Sequence, residues 1–191
     1  MKEKILIYQL FPRLFGNTST SLKKNGSIEE NGCGRFIDIN DNALDSLKAM
    51  GVNTIWCMGV IRHATSTNRP YFGLYSDNPL IVKGRAGSPY AIRDYYDVNA
   101  DYASDPAKRH KEFEELISRI HNKGMKIIID FVPNHVARNY HSGFMDDDHT
   151  SLGDNDDNTK AFSPKNDFYY IPDETFVVPD EARAYCREAG L

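Results

Sequence analysis

One unit occurs twice in this chain and narrows what it can fold into. Residues 42–58 read as helix, glycine, strand. Ala43, Leu44, Leu47 and Met50 recur at helical spacing, Gly51 supplies a left-handed stop, and Val52 to Met58 is strand-like. Residues 104–132 repeat the unit. Ser104 or Asp105 caps the start, Pro106 suits the first turn, and Phe113, Leu116, Ile117 and Ile120 form a buried stripe. Gly124 then ends the helix before the strand Met125 to Val132, and Leu47-x-x-x-Gly51 superposes on Ile120-x-x-x-Gly124. With Ile5 to Leu10 as a first strand, the order is β-α-β-α-β. Right-handed crossovers make these three strands parallel and adjacent.

The third strand carries the most informative chemistry. Its apolar run, Ile127 to Ile129, is expected to be buried on both faces, and it flows into Asp130, Asn134 and His135. Ligands of α/β folds meet the carboxyl ends of parallel strands, where this polar cluster sits. The plain alternative is a buried strand ending in an ordinary polar loop. Long excursions, residues 59–103 and 136–191, leave from the ends of the second and third strands, as binding loops do. Three parallel strands alone form a narrow sheet with exposed edges. A closed barrel takes eight strands and roughly 250 residues, so the chain reads as the opening of one.

Composition narrows the function classes. The 191 residues carry a net charge of −4, and no basic tract exceeds Lys23-Lys24, so a nucleic-acid partner has no electrostatic footprint. Cys33, Cys57 and Cys186 are odd in number and form no Cys-x-x-Cys, which argues against a disulfide framework or a zinc ribbon. Cys57 falls in an apolar strand and is expected to be buried. The apolar stretch near the N-terminus is short, broken by Gln9 and followed by no small-residue cleavage site, so it reads as a strand, not a signal peptide. No stretch is apolar enough to span a membrane, and a cytoplasmic location is the expectation. No glycine-rich phosphate loop occurs, which argues against a small nucleotide-binding doubly wound domain.

Three segments together carry a resemblance. Tyr8-Gln-Leu-Phe-Pro-Arg-Leu-Phe15, Ser88-Pro-Tyr90-Ala-Ile-Arg-Asp94-Tyr-Tyr96 and Asp130-Phe-Val-Pro-Asn-His135 occur in an order that resembles the start of the alpha-amylase family of glycoside hydrolases. The implied fold class is α/β, a partial TIM (β/α)8 barrel. Residues 1–140 resemble the N-terminal part of that barrel, its first three β-strands with their helices. Residues 141–191 resemble the start of the subdomain inserted after the third strand. The implied substrate is an α-linked glucan or maltooligosaccharide, with the remainder of the barrel needed in cis.

The resemblance also implies roles. Tyr90 matches an aromatic that stacks on the sugar beside the scissile bond, as suits the apolar face of a pyranose. His135 matches a histidine that hydrogen-bonds hydroxyls of the same sugar. Asn134 matches a ligand of Ca2+ in calcium-binding members, or else caps the following turn. Asp130 and Asp94 match supporting carboxylates. Where the family often has His-Gly-Tyr, this chain has Ser88-Pro89-Tyr90, so one histidine contact is missing.

Retaining glycosidases need two carboxyl groups about 5–5.5 Å apart across the scissile bond. The resemblance places them after later strands of the barrel. Residues 136–191 contain no Gly-x-Arg-x-Asp segment on an apolar strand, so no catalytic residue is assigned and the chain alone is expected to be inactive. An EF-hand test of the acidic stretch fails. Asp154, Asp156 and Asn158 fit, but Thr159 stands where glycine is required and Lys165 where the bidentate glutamate belongs. A solvated acidic loop is the expectation. The competing reading is a non-catalytic sugar-binding or vestigial protein.

Overall fold

Gly51 and Gly124 both adopt left-handed backbone, with φ of +88° and +71°, and at each the chain turns from a helix into a strand. The computed structural model describes residues 4–143, 150–175 and 177–189. Its elements are β1 (Ile7–Leu10), α1 (Ile28–Asn31), α2 (Asp41–Ala49), β2 (Thr54–Cys57), β3 (Ile61–His63), β4 (Ile92–Val98), α3 (Arg109–Asn122), β5 (Lys126–Ile129) and α4 (Asp180–Ala189). Short 3-10 turns join several of them.

Local chemistry sets the helix limits. The Asn40 side chain accepts the Ala43 N–H at the start of α2, and Leu44 and Leu47 are buried beneath it. Met50, expected in that stripe, is 63% exposed, because it is the C-cap, where the chain has left the helical path. Before α3, Asp105 caps a 3-10 turn by accepting the Ala107 N–H at 3.0 Å. Glu112 reaches back to the N–H groups of Ser104 and Asp105, both at 2.7 Å, which satisfies donors that a helix start leaves unpaired. Leu116 and Ile120 face the core, and Arg119 donates to the Ile39 carbonyl at 2.8 Å, tying α3 to the turn before α2.

The sheet is parallel, in the order β1-β2-β5. Its registers pair Leu10 with Cys57 and Cys57 with Ile129, so the three carboxyl ends lie in one row. Side chains alternate between faces along each strand. Leu10, Ile55, Cys57 and Ile127 pack with Leu44, Leu47, Leu116 and Ile120 of the helices in one core. Ile7, Gln9, Trp56 and Ile128 belong to the other face, which the described residues leave largely open. Burial pushes the Cys57 thiol up to about 12, with Asp130 adding to the shift, so it is an inert packing group.

Two expectations need correction. β5 is not buried on both faces: Ile128 is 43% exposed on the uncovered face, and Ile129, on the same face as Cys57 and Ile127, is 41% exposed at the open edge of an outer strand. β1 begins at Ile7 and not Ile5, although Leu6 still pairs with Asn53 through its N–H at 3.0 Å. The excursion over residues 59–103 contains an antiparallel pair, β3 with β4, interrupted by register shifts. After residue 143 the described chain also includes α4, whose first turn is acidic, with Asp180 and Glu181 at the dipole's positive end.

Ile5, Leu6, Ile7, Ile128 and Phe131 are all exposed on or beside the sheet, an apolar surface of the kind that binds hydrophobic dyes. The 191-residue chain should therefore enhance ANS fluorescence under native conditions. A cooperative thermal transition without dye binding is the result that would contradict this.

Candidate functional site

The row of strand ends supplies the site. Asp130 follows β5 directly, and its carboxylate accepts hydrogen bonds from the Trp56 indole N–H of β2 and from the Gly59 backbone N–H at 3.1 Å. It thereby ties the end of β5 to the end of β2. Gly59 has φ +67°, and a Cβ there would come within 2.5 Å of Pro89 and 3.2 Å of Phe11. This close approach seats the Ser88-Pro89-Tyr90 turn on the rim of the sheet.

Trp56, Tyr90, Ile128, Asp130, Phe131 and Val132 line an open depression of about 380 Å³ at this rim. Tyr90 is 37% exposed, and its hydroxyl pKa is raised, first by burial and then by the negative charge of Asp130 beside it. The depression thus combines three aromatic side chains, Trp56, Tyr90 and Phe131, with the Asp130 carboxylate. Aromatic faces accept apolar C–H surface, and a carboxylate accepts hydroxyl protons.

The expected site residues do not all converge. Tyr90 and Asp130 meet at the depression. Asn134 and His135 are exposed on the segment beyond it and do not line it. Asp94 is fully buried on β4, where it accepts the N–H groups of Tyr96 and Gly143, both at 2.9 Å, so it braces the chain after β5 from outside the depression.

Several supporting residues had no local signal in the sequence. The Tyr95 hydroxyl donates to the Val132 carbonyl, and its ring packs against Phe131 at 5.4 Å between centroids. Asp77 is buried and accepts from the Thr65 N–H at 2.8 Å, from Arg93 at 3.1 Å and from the Asn139 side chain. Arg13 donates to the carbonyls of Ala86 and Gly87, at 2.9 and 3.3 Å, and lies 2.8 Å from His63 Nε2. Tyr95 was legible only as part of the Ser88–Tyr96 segment, and Arg13 only as part of Tyr8–Phe15. Their partners lie far away in sequence.

Among the described residues, no group of three or more His, Cys, Asp or Glu side chains is placed to hold an ion. Asp146-Asp147-Asp148 lie outside the described residues. In the acidic loop that follows, Asp154, Asn155 and Asn158 are exposed, as expected of a solvated loop. Asp156 accepts the N–H groups of Asp167 and Phe168 and the Tyr170 hydroxyl, at 2.8, 2.9 and 2.8 Å, and is thus occupied as an internal brace.

The description "Alpha amylase, catalytic domain" matches residues 9–185. The chain belongs to this family. It is similar to an alpha-glucosidase of Pediococcus pentosaceus, 27% identical over 135 residues that cover 71% of this chain and 18% of that protein. It is also similar to an amino acid transporter heavy chain of Mus musculus, 26% identical over 131 residues that cover 69% of this chain and 14% of that protein. Among solved structures, a trehalose-6-phosphate hydrolase of Bacillus licheniformis aligns with a TM-score of 0.47 at 25% identity, covering 72% of this chain and 18% of that one. The chain therefore spans less than a fifth of the length of each of these relatives. No helix among the described residues is long and apolar enough to cross a membrane.

Two measurements follow from this geometry. Gly59→Ala combines a left-handed backbone with an overlap against Pro89, and should destabilise the chain by about 2–4 kcal/mol in urea titrations. A loss below about 0.5 kcal/mol would show that Pro89 is free to move away. The second concerns His63, whose pKa falls from 6.5 to about 4, first through burial and then through the Arg13 charge. Below pH 6.5 the unfolded chain takes up a proton that folded His63 refuses. Stability from neutral His63 is thus complete above about pH 6.5 and is lost as pH falls towards 4, on the order of 3 kcal/mol in all. His63→Gln should flatten that part of the stability profile, and an unchanged slope would exclude His63 as its source.

Proposed function

We propose that this chain is the N-terminal part of an alpha-amylase-type glycoside hydrolase acting on α-linked glucans or maltooligosaccharides. Family membership supports the reaction class. The observation that carries the reading is the meeting of Tyr90, Trp56 and Asp130 in one depression at the carboxyl ends of parallel strands. In this reading β1, β2 and β5 are the first three strands of a (β/α)8 barrel, residues 141–191 begin the inserted subdomain, and the rest of the barrel acts in cis.

Each residue then has a bounded role. Tyr90 stacks on one sugar ring over the depression. Asp130 fixes the Trp56 indole and the Gly59 backbone, so that it orients the floor and does not attack. His135 is a hydroxyl-binding group, for which its exposure leaves the ring free to meet a sugar. Asn134 would bind calcium only with ligands from outside the described residues. The retaining mechanism needs a nucleophile and an acid, and neither is assigned to this chain.

Trp56 is the single tryptophan of the chain and lines the depression, which makes its emission a reporter for binding. Titration with maltotriose should change Trp56 fluorescence at millimolar sugar, with no reducing sugar released over days. Tyr90→Ala should weaken binding roughly three- to tenfold, the worth of one aromatic stacking contact. Turnover that survives purification would overturn the assignment of no catalytic residue. Binding unaffected by Tyr90→Ala would overturn the stacking role.

A further inference from the structure

Arg13 leaves the end of β1 and reaches across the rim to the loop that carries Tyr90. Its Nη2 donates to the Ala86 carbonyl at 2.9 Å and lies 2.8 Å from His63 Nε2, while its Nη1 donates to the Gly87 carbonyl at 3.3 Å. The guanidinium also stands 5.0 Å from the Phe11 ring centroid, within cation–π range. A guanidinium has no acceptor, so His63 Nε2 must accept. The neutral ring then carries its proton on Nδ1, which faces the Ile61 carbonyl at 3.3 Å. His63 Nε2 is therefore an acceptor for Arg13, with the Asn99 side-chain amide as a second donor at 3.0 Å.

The backbone on the far side of this contact has little freedom. Gly87 has φ +75°, and a Cβ there would fall 1.8 Å from the Ala64 carbonyl oxygen. Beyond it, the Ala91 N–H donates to the Ser88 carbonyl at 3.1 Å and the Tyr90 N–H to the Ser88 hydroxyl at 3.3 Å, closing a tight turn. Pro89 in this turn rests against Gly59, whose N–H is held by Asp130. The turn is thus gripped from below by Gly59 and from behind by Arg13. Arg13 itself does not line the depression.

We propose that Arg13 is a positioning residue for Tyr90, bracing the Ala86 and Gly87 carbonyls against the His63 ring so that the Ser88–Tyr90 turn presents the tyrosine over the depression. The consequence for sugar binding rests on the stacking role proposed for Tyr90, but the brace itself is testable without sugar. Lysine cannot replace the arginine. One ammonium is a point donor, whereas the contact uses two nitrogens of a planar fork aimed at three acceptors.

Amide hydrogen exchange on the 191-residue chain at neutral pH tests the brace. Arg13→Lys and His63→Leu should accelerate exchange at Gly87, Ser88, Tyr90 and Ala91 about tenfold or more, while Ile55–Cys57 and Leu116–Ile120 keep their protection. His63→Gln offers a carbonyl oxygen where Nε2 accepts, and should restore slow exchange in the loop. An unchanged loop, equal acceleration of the core, or failure of the glutamine to rescue would each overturn the proposal. In maltotriose titrations, Arg13→Lys should weaken binding by about the same factor as Tyr90→Ala, and the double variant no further. Additive losses would overturn it, because the two residues would then act independently. Should the wild-type chain bind no maltotriose, the stacking role of Tyr90 fails alone, and hydrogen exchange still decides the brace.

Discussion

Parallel pairing in a single register, Leu10 beside Cys57 beside Ile129, determines where the loops after these three strands depart. Because the three ends lie in one row, the residues just past them face each other although they are remote in sequence. Arg13, Gly59 and Asp130 lie within three residues beyond that row. Each spends its polar capacity on joining one departing loop to another, and the Tyr90 turn is seated among them. A slip of one residue in β5 would carry Asp130 to the opposite face, away from Trp56, since successive side chains alternate. The depression is therefore a consequence of sheet register before it is a consequence of loop sequence.

The same logic recurs in the antiparallel pair. Asp97 on β4 is buried and accepts from Arg109 at 2.6 and 3.2 Å, from His110 at 2.9 Å and from Arg62 at 3.4 Å. This one carboxylate fastens the start of α3 to both strands of the excursion. Asp101, also buried, accepts from Thr67 at 3.0 Å and from Arg69 at 3.0 and 3.3 Å. Removing one partner from such a buried pair leaves an uncompensated charge and costs about 3–5 kcal/mol, far more than a surface ion pair contributes. The long excursion is therefore held by a few high-stakes polar nodes where a loop of that length has little apolar core of its own.

How much of this was legible follows from the range of each interaction. Gly51 and Gly124 announce themselves because a left-handed helix stop is local, and the stripes of Leu44, Leu47, Leu116 and Ile120 announce themselves by period. The Tyr90 and Asp130 segments stood out as motifs. What no local pattern revealed was the contact between them, which closes across Gly59, 71 residues from Asp130. β3 was missed because its pairing with β4 is irregular, with register shifts on either side of Arg62. The exposure of Ile128 and Ile129 ran against a rule about apolar runs. That rule assumes covered faces and neighbouring strands on both sides; among the described residues the face of Ile128 is uncovered, and Ile129 sits at the open edge of an outer strand.

The state of the carboxylates also bears on what the chain can do chemically. A nucleophile needs a lone pair aimed at the reacting carbon, and a general acid needs a proton it can release. Asp77, Asp94, Asp97 and Asp101 are buried acceptors already committed to backbone amides, guanidinium groups or a hydroxyl. Asp130, the one carboxylate that lines the depression, accepts from the Trp56 indole and from the Gly59 amide. Turning it toward a substrate would abandon both donors and release the floor on which Tyr90 depends. Its value lies in staying where it is, as a hydrogen-bond acceptor that holds the floor of the depression together.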